Sequence, residues 1–259
     1  MMENKNSDII GLVESLPSIT LEEMSSIRLM NRTDEKYLTN RSTLKKLLEL
    51  AQGSYYSQEV KGKRISPYRT TYWDTDQHLM YRLHQCGHSP RMKVRVRTYI
   101  DTETTFLEVK QKNNHGKTLK KRVEVNDAST PETEKSNRFL NDRIGLCFED
   151  IHPALQNRFD RITLVNNEMT ERLTIDFNLQ FHNMETAEEA SMRNLVVVEL
   201  KRDGRNASPV HAMLRELRVK PSGFSKYCIG SYLTNQKLPG NNIKPRMVQI
   251  NRLANKQKN

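Results

Sequence analysis

In six segments of this chain the charged residues fall on one parity and the apolar residues on the other. Lys93, Arg95 and Arg97 alternate with Met92, Val94 and Val96, and Glu108, Lys110 and Lys112 alternate with Leu107 and Val109. Lys120, Arg122 and Glu124 oppose Val123 and Val125; Arg172, Thr174 and Asp176 oppose Leu173, Ile175 and Phe177; Glu199 and Lys201 oppose Val196, Val198 and Leu200; and Arg32, Asp34 and Lys36 share a parity. Successive side chains of a strand point to opposite faces, so each segment reads as a half-buried strand. A merely wet face mixes Ser, Thr, Asn and Gln with its charges, whereas these positions are almost all Arg, Lys, Glu or Asp. Closing such strands into a barrel puts the charges inside and the apolar set outward, beneath covering helices. The expected fold is α+β: an antiparallel closed β-barrel of about eight strands with amphipathic helices packed outside.

The helices are read from their caps and periods. Thr20 and Glu23 have capping-box spacing and predict a helix to about Met30. Leu44, Leu47 and Leu48 predict another over 42–51, stopped by Gly53. Further helices are expected at 131–143, 208–218 and 225–234, with Pro131 and Pro209 suited to first turns. Residues 1–17 read as loosely structured. No repeat and no Pro/Gly/Ser-rich linker divides the chain, so one domain over 1–259 is expected, with a core at about 28–234 and a basic tail at 235–259. The net charge is +11, but the tail holds six basic residues and no acid, which leaves +5 for the rest. No apolar run approaches the roughly 20 residues of a membrane helix and no secretory leader opens the chain, so a cytoplasmic protein is expected. Cys86, Cys147 and Cys228 have neither disulfide-framework nor metal-knuckle spacing and read as reduced thiols.

A tunnel lined this way constrains its ligand. Like unit charges about 4 Å apart repel by around 4 kcal/mol at an effective dielectric near 20. An anion must therefore sit among them, and a phosphate chain, with oxygens along its whole length, matches a line of Arg and Lys best. Carboxylates facing the same lumen suit Mg2+ or Mn2+, hard cations that bridge to phosphates.

The ordered motifs resemble the triphosphate tunnel metalloenzymes, and within them the vacuolar transporter chaperone (VTC) domain that makes inorganic polyphosphate. They are Arg32-x-Asp34-x-Lys36-Tyr37, Tyr72-Trp73-Asp74, Lys93-x-Arg95-x-Arg97-x-Tyr99, Phe106-Leu107-Glu108-Val109-Lys110 and Lys120-Lys121-Arg122. Phe159-Asp160-Arg161, Arg172 to Asp176, Val198-Glu199-Leu200-Lys201 and Phe224-Ser225-Lys226-Tyr227 follow, a span of roughly residues 28–234. The superfamily's opening strand carries two acids before its Lys; here Arg32 stands in place of the first. The resemblance implies that Lys36, Arg95, Arg97, Lys110, Arg122, Arg161, Arg172 and Lys226 grip phosphates, and that Glu199 is the principal metal ligand. It makes Glu108, Glu124 and Asp176 further candidates for holding metal or orienting basic side chains, with Lys201 touching phosphate or pairing with Glu199. The implied reaction is metal-dependent transfer of the γ-phosphoryl group of ATP to a growing polyphosphate chain, with Mn2+ or Mg2+ as cofactor.

Two readings stand beside it: a hydrolase of tripolyphosphate or an organic triphosphate, and a non-catalytic module binding polyphosphate or inositol phosphates. A nucleic-acid binder is disfavoured, because aromatics are 7% of the chain and acids stand between the basic residues. Export of product would require a membrane-protein partner. Gly116-Lys117-Thr118 is no P-loop, since the earlier Gly is replaced by Gln111. His84, Cys86 and His88 around Gly87 read as an exposed hairpin tip rather than a zinc site, and the Asn-x-Ser/Thr triplets at Asn31, Asn40 and Asn206 carry no meaning in a cytoplasmic chain. The tail reads as a solubilising end, or as a nonspecific hold on long anionic product, so truncation after Thr234 is expected to spare ATP turnover.

Overall fold

The computed structural model of the chain describes residues 4–26, 32–203 and 207–255. In chain order the elements are α1 (Asn4–Glu14), β1 (Ser18–Ile19), β2 (Arg32–Asn40), α2 (Arg41–Leu50), β3 (Tyr55–Gln58), β4 (Ser66–Asp74) and α3 (Leu79–Gln85). Next come β5 (Arg91–Tyr99), β6 (Thr104–Lys112), β7 (Thr118–Val125), α4 (Glu134–Ile144), β8 (His152–Asn166) and β9 (Glu171–Asn183). The chain ends with β10 (Glu189–Met192), β11 (Leu195–Asp203), α5 (Pro209–Glu216), α6 (Lys226–Thr234) and α7 (Lys244–Asn255).

Eight strands form the wall in the order β2-β11-β9-β8-β4-β5-β6-β7, with every neighbouring pair antiparallel. The ladder ends at β2 and β7, and among the described residues no pairing joins these two edges. The free edge of β2 is occupied instead by the segment that leads into α6. Tyr37 bridges Pro221, and the Ser222 amide donates to the Lys36 carbonyl at 2.7 Å. This strap carries the chain from α5, outside the wall, to α6 on the concave side. The wall is thus a curled antiparallel barrel with a strapped seam.

The parity of the strands holds. Ile162, Leu164, Leu173, Ile175, Val196, Val198 and Leu200 point outward and pack under α1, α2 and α5. On the other flank, Val94, Val96, Leu107 and Val109 face out against Leu140 of α4, Trp73 and Phe148. The α2 stripe is buried as its period requires, with Asn40 accepting from the Thr43 amide at 3.0 Å and Gly53 in the left-handed region beyond it.

Four local expectations differ from the structure. Residues 4–14 form α1, whose Ile9 and Val13 are buried against α2. The Thr20–Glu23 box exists, with the Glu23 amide 3.2 Å from Thr20 Oγ1, yet it starts only the 3-10 turn Glu23–Ser26; the rest of the expected helix lies outside the described residues. His84 lies in the last turn of α3, with Gly87 after it, so this stretch is a helix end rather than a hairpin tip. The tail is folded: α7 packs on the barrel with Ile243, Met247 and Ile250 buried. Gly116 does sit in the β6–β7 hairpin turn, as a strand-turn-strand context requires. Asn31 and Asn206 lie outside the described residues, as do Lys256 and Lys258.

Candidate functional site

The residues assigned to phosphate or metal fall at inner-face positions of strands or, for Lys226, in the first turn of α6. Lys36 stands opposite Glu199, Lys201 opposite Asp34 and Arg172, and Arg161 opposite Asp176. Across the other flank Arg95, Glu108 and Arg122 form one cross-strand row, and Arg97, Phe106 and Glu124 form the next. Lys110 belongs to β6, yet its ammonium, weakened by burial, is drawn by Glu199 and opposed by Lys36 and Lys201, so the two flanks face each other across the lumen.

Three carboxylates organise the cations. Asp176 receives Arg161 through both oxygens, at 2.6 and 2.8 Å, and also receives Lys226. Burial opposes its charge, but Arg161 and Lys226 outweigh burial and hold the carboxyl at about 2. Glu108, 1% exposed, takes Arg95 at 2.6 Å and Lys120, and is likewise held at about 2 against burial by Arg95, Arg97 and Lys120. Glu199 lies 2.6 Å from Lys201 and 3.5 Å from Lys36, which keep it ionised well below the usual range despite its burial. Bidentate charge-assisted bonds of this kind fix guanidinium planes in place before any ligand arrives.

Beneath these charges lies an aromatic floor. Tyr68 and Phe159 stack at 5.2 Å, with the Arg161 guanidinium 4.9 and 5.3 Å from the two rings, the Arg97 guanidinium at 5.6 and 5.8 Å, and Lys226 4.4 Å from Phe159. Arg97 also donates to Thr70 Oγ1 at 3.1 Å. Sequence reasoning did not single out Tyr68 or Thr70, although with Tyr72 they carry the same two-residue period on β4. Arg122 and Glu124 are exposed on the edge strand β7, Arg122 resting 4.2 Å over Phe106, so they form the rim and not the centre of the site.

Phe224-Ser225-Lys226-Tyr227 acquires its geometry from the cap of α6. Ser225 accepts from the Cys228 amide at 3.3 Å. Tyr227 stacks on Tyr72 at 5.0 Å and donates its hydroxyl to Asp74, which also accepts the Met80 and Tyr81 amides at 2.8 Å. Asp74 thereby caps α3 and pins the turn that aims Lys226 at Asp176.

A divalent cation needs oxygen ligands, and Mg2+ and Mn2+ commonly take one or two carboxylates with substrate phosphates completing the shell. Among the described residues no group of three or more His, Cys, Asp and Glu side chains is arranged to hold a metal by itself. The oxygens of Asp176 and Glu108 are engaged by guanidinium and ammonium groups, which suits them to orienting those cations. Glu199, ionised, facing the lumen and held only by lysines, is the carboxylate whose surroundings suit a cation shared with a bound phosphate.

A family model described as the VTC domain matches residues 31–235. No curated protein sequence matches the chain. Among solved structures, the chain is similar to a Hippeastrum protein described as a candidate adenylyl cyclase with a dominant triphosphatase activity: TM-score 0.51, 16% identity, covering 82% of this chain and 99% of that one. It is also similar to a Bacillus halodurans protein described as a candidate adenylate cyclase: TM-score 0.47, 14% identity, covering 76% and 96%. A Pyrococcus horikoshii protein gives a TM-score of 0.44 at 12% identity, covering 80% and 99%.

Proposed function

The chain belongs to the VTC domain family, and from that membership we propose that it is a metal-dependent polyphosphate polymerase. It transfers the γ-phosphoryl group of ATP to the end of an inorganic polyphosphate chain. The observation that carries this reading is the pre-paired cation set on the concave face, Arg95 on Glu108 and Arg161 with Lys226 on Asp176, opposite Lys36, Lys201 and Glu199.

Phosphoryl transfer asks little covalent chemistry of a protein, so positioning and charge stabilisation dominate. Arg95, Arg97, Arg161, Arg172 and Lys226 hold the triphosphate and neutralise its equatorial oxygens, with Lys36, Lys110, Lys201 and Arg122 carrying the adjoining phosphates. A terminal oxygen of the acceptor chain bonds to the γ-phosphorus; the bond from that phosphorus to the β–γ bridging oxygen breaks, and its electron pair leaves with ADP. Glu199 is the residue to hold Mn2+ or Mg2+, with Glu124 outside at the rim; the cation when bound draws charge from the phosphate oxygens. Asp176 and Glu108 keep their guanidinium partners aimed inward.

The test is incubation of the purified protein with ATP and Mn2+, followed by electrophoresis for long chains and assay of ADP and free phosphate. ADP with long polyphosphate supports the polymerase. Free phosphate without chains makes the domain a triphosphatase, and binding without turnover makes it a sensor module. No described helix is long and apolar enough to cross a membrane, so export of product would fall to a membrane-protein partner.

A further inference from the structure

Lys93, Lys110 and Lys120 stand directly opposite one another on adjacent strands β5, β6 and β7, on the inner face. Like charges in direct cross-strand register destabilise a sheet. The neighbouring row solves this problem with an acid, Glu108 between Arg95 and Arg122, and Lys120 leans across to the same Glu108. Among the described residues, no carboxylate lies within ion-pair distance of Lys93 or Lys110. Lys93 has neutral partners only: its Nζ is 3.1 Å from Ser225 Oγ, at the cap of α6, and 3.3 Å from His84 Nε2, at the end of α3.

We propose that this lysine row is an anion subsite that takes up a proton together with its ligand. A phosphate group of a linear polyphosphate seats against Lys93, Lys110 and Lys120, and the Lys93 amine becomes an ammonium as it binds. The proposal rests on the phosphate-chain reading above and adds a residue, Lys93, and a linkage to it. The proton comes from the buffer, and no bond to the ligand forms.

The surroundings favour the neutral amine until an anion arrives. Burial, then Lys110, Arg95 and Arg91, push the Lys93 ammonium down to about 7, and Cys228 acts in the opposite direction. Cys228 supplies little negative charge, because burial raises its thiol above the ordinary value. His84 cannot share the proton: burial, Lys93, Arg91, Arg246 of α7 and Lys110 hold its imidazole at about 2. His84 faces Lys93 through Nε2 as a neutral ring, and its Nδ1 is buried without a partner. Each neighbour of Lys93 thus tolerates an amine, and a phosphate is the missing charge that restores the ammonium.

The test is isothermal titration calorimetry of inorganic tripolyphosphate into the full chain with EDTA present, so that nothing turns over, in two buffers of different ionisation enthalpy. The excess proton uptake of the wild type over Lys93→Arg should grow from about half a proton at pH 7 to close to one at pH 8.5. The wild-type Kd should also rise more steeply than that of the variant, approaching tenfold per pH unit. Lys93→Met should bind weakly at pH 6.5, where the wild type binds best, and show the variant's shallow pH slope. Equal proton uptake and equal slopes in wild type and either folded variant would overturn the linkage while leaving tripolyphosphate binding, and hence the proposed function, intact. Absence of tripolyphosphate binding by the wild type would sink both.

Discussion

The concave face has two halves built from the same strands by the same alternation. In one, the inner positions are Lys36, Glu199, Lys201, Arg172, Asp176, Arg161 and Arg97, a charged set joined by ion pairs. In the other they are Leu38, Val197, Leu155, Phe181 and Tyr72, gathered into one core with Tyr227, Cys228 and Ile229 of α6 and with Ile243, Met247 and Ile250 at α7. Gly230 shows how tight that contact is: a Cβ there would meet the Phe181 ring at 2.4 Å. One part of the barrel's interior is therefore hydrophobic core, and ion pairs organise the charged part beside it. The apolar half fixes where α6 stands, and α6 delivers Lys226 and Ser225 to the charged half.

The largest effect is expected from removing the cover of the apolar half. Truncation after Thr234 deletes Leu238, Ile243, Met247 and Ile250, all buried. At about 1.5–3 kcal/mol for each buried side chain, the loss rivals the entire 5–15 kcal/mol stability of a domain. The truncated chain should fail to give a cooperative thermal transition, where composition alone suggests a dispensable tail. A folded, active 1–234 fragment would show that the two halves are independent.

Next comes Asp176→Asn, which leaves Arg161 and Lys226 without their buried counter-charge. A loss of about 3–5 kcal/mol is expected in denaturant titration, partly restored by tripolyphosphate, which brings its own negative charge. Gly230→Val probes the apolar side by overpacking, at a smaller expected cost of about 1–3 kcal/mol, and no phosphate should rescue it. That asymmetry in rescue separates the two halves most directly.

Glu199→Gln should cost less stability than Asp176→Asn, since its lysine pairs are less deeply buried than those of Asp176. It should abolish metal-dependent turnover while sparing polyphosphate binding, because it removes an anionic oxygen and none of the basic grip. Unaltered metal-dependent rates would remove Glu199 from its role. The smallest effect is in pH. An unfolded Lys titrates near 10.4, so with the folded Lys93 at about 7 the unfolded chain binds more protons between those values, and stability rises with pH there. Without ligand the Tm should climb by roughly 2–4 °C from pH 7 to 8.5, and saturating tripolyphosphate should flatten the trend.

Much of the charged half is legible in the amino-acid sequence, because a strand's two-residue period ties parity to face. Lys36, Arg95, Arg161 and Glu199 stand out in this way and by the order of their motifs. The aromatic floor does not, since Tyr68 and Phe159 look like ordinary core residues until two strands bring them to a 5.2 Å stack. Parity also has a limited range. At the bulge near Arg158 and Asp160, Asn178 takes a left-handed conformation, and the inner set of β9 passes from Arg172, Thr174 and Asp176 to Leu179 and Phe181.

Local sequence determined which residues share a face and where α2, α5 and α6 begin, whereas α4 starts at Glu134 behind a Thr133 cap and leaves Pro131 outside its first turn. The shared faces and those three helix starts depend on backbone period and on caps within a turn. Only the tertiary structure decided that the β2 edge is covered by the strap at Pro221 and Ser222, that α6 enters the concave side, and that the tail helix closes the apolar end. Each of these depends on contacts between segments far apart in the chain, where an exposed basic tail and a covering amphipathic helix have nearly the same composition and differ in what lies beneath them.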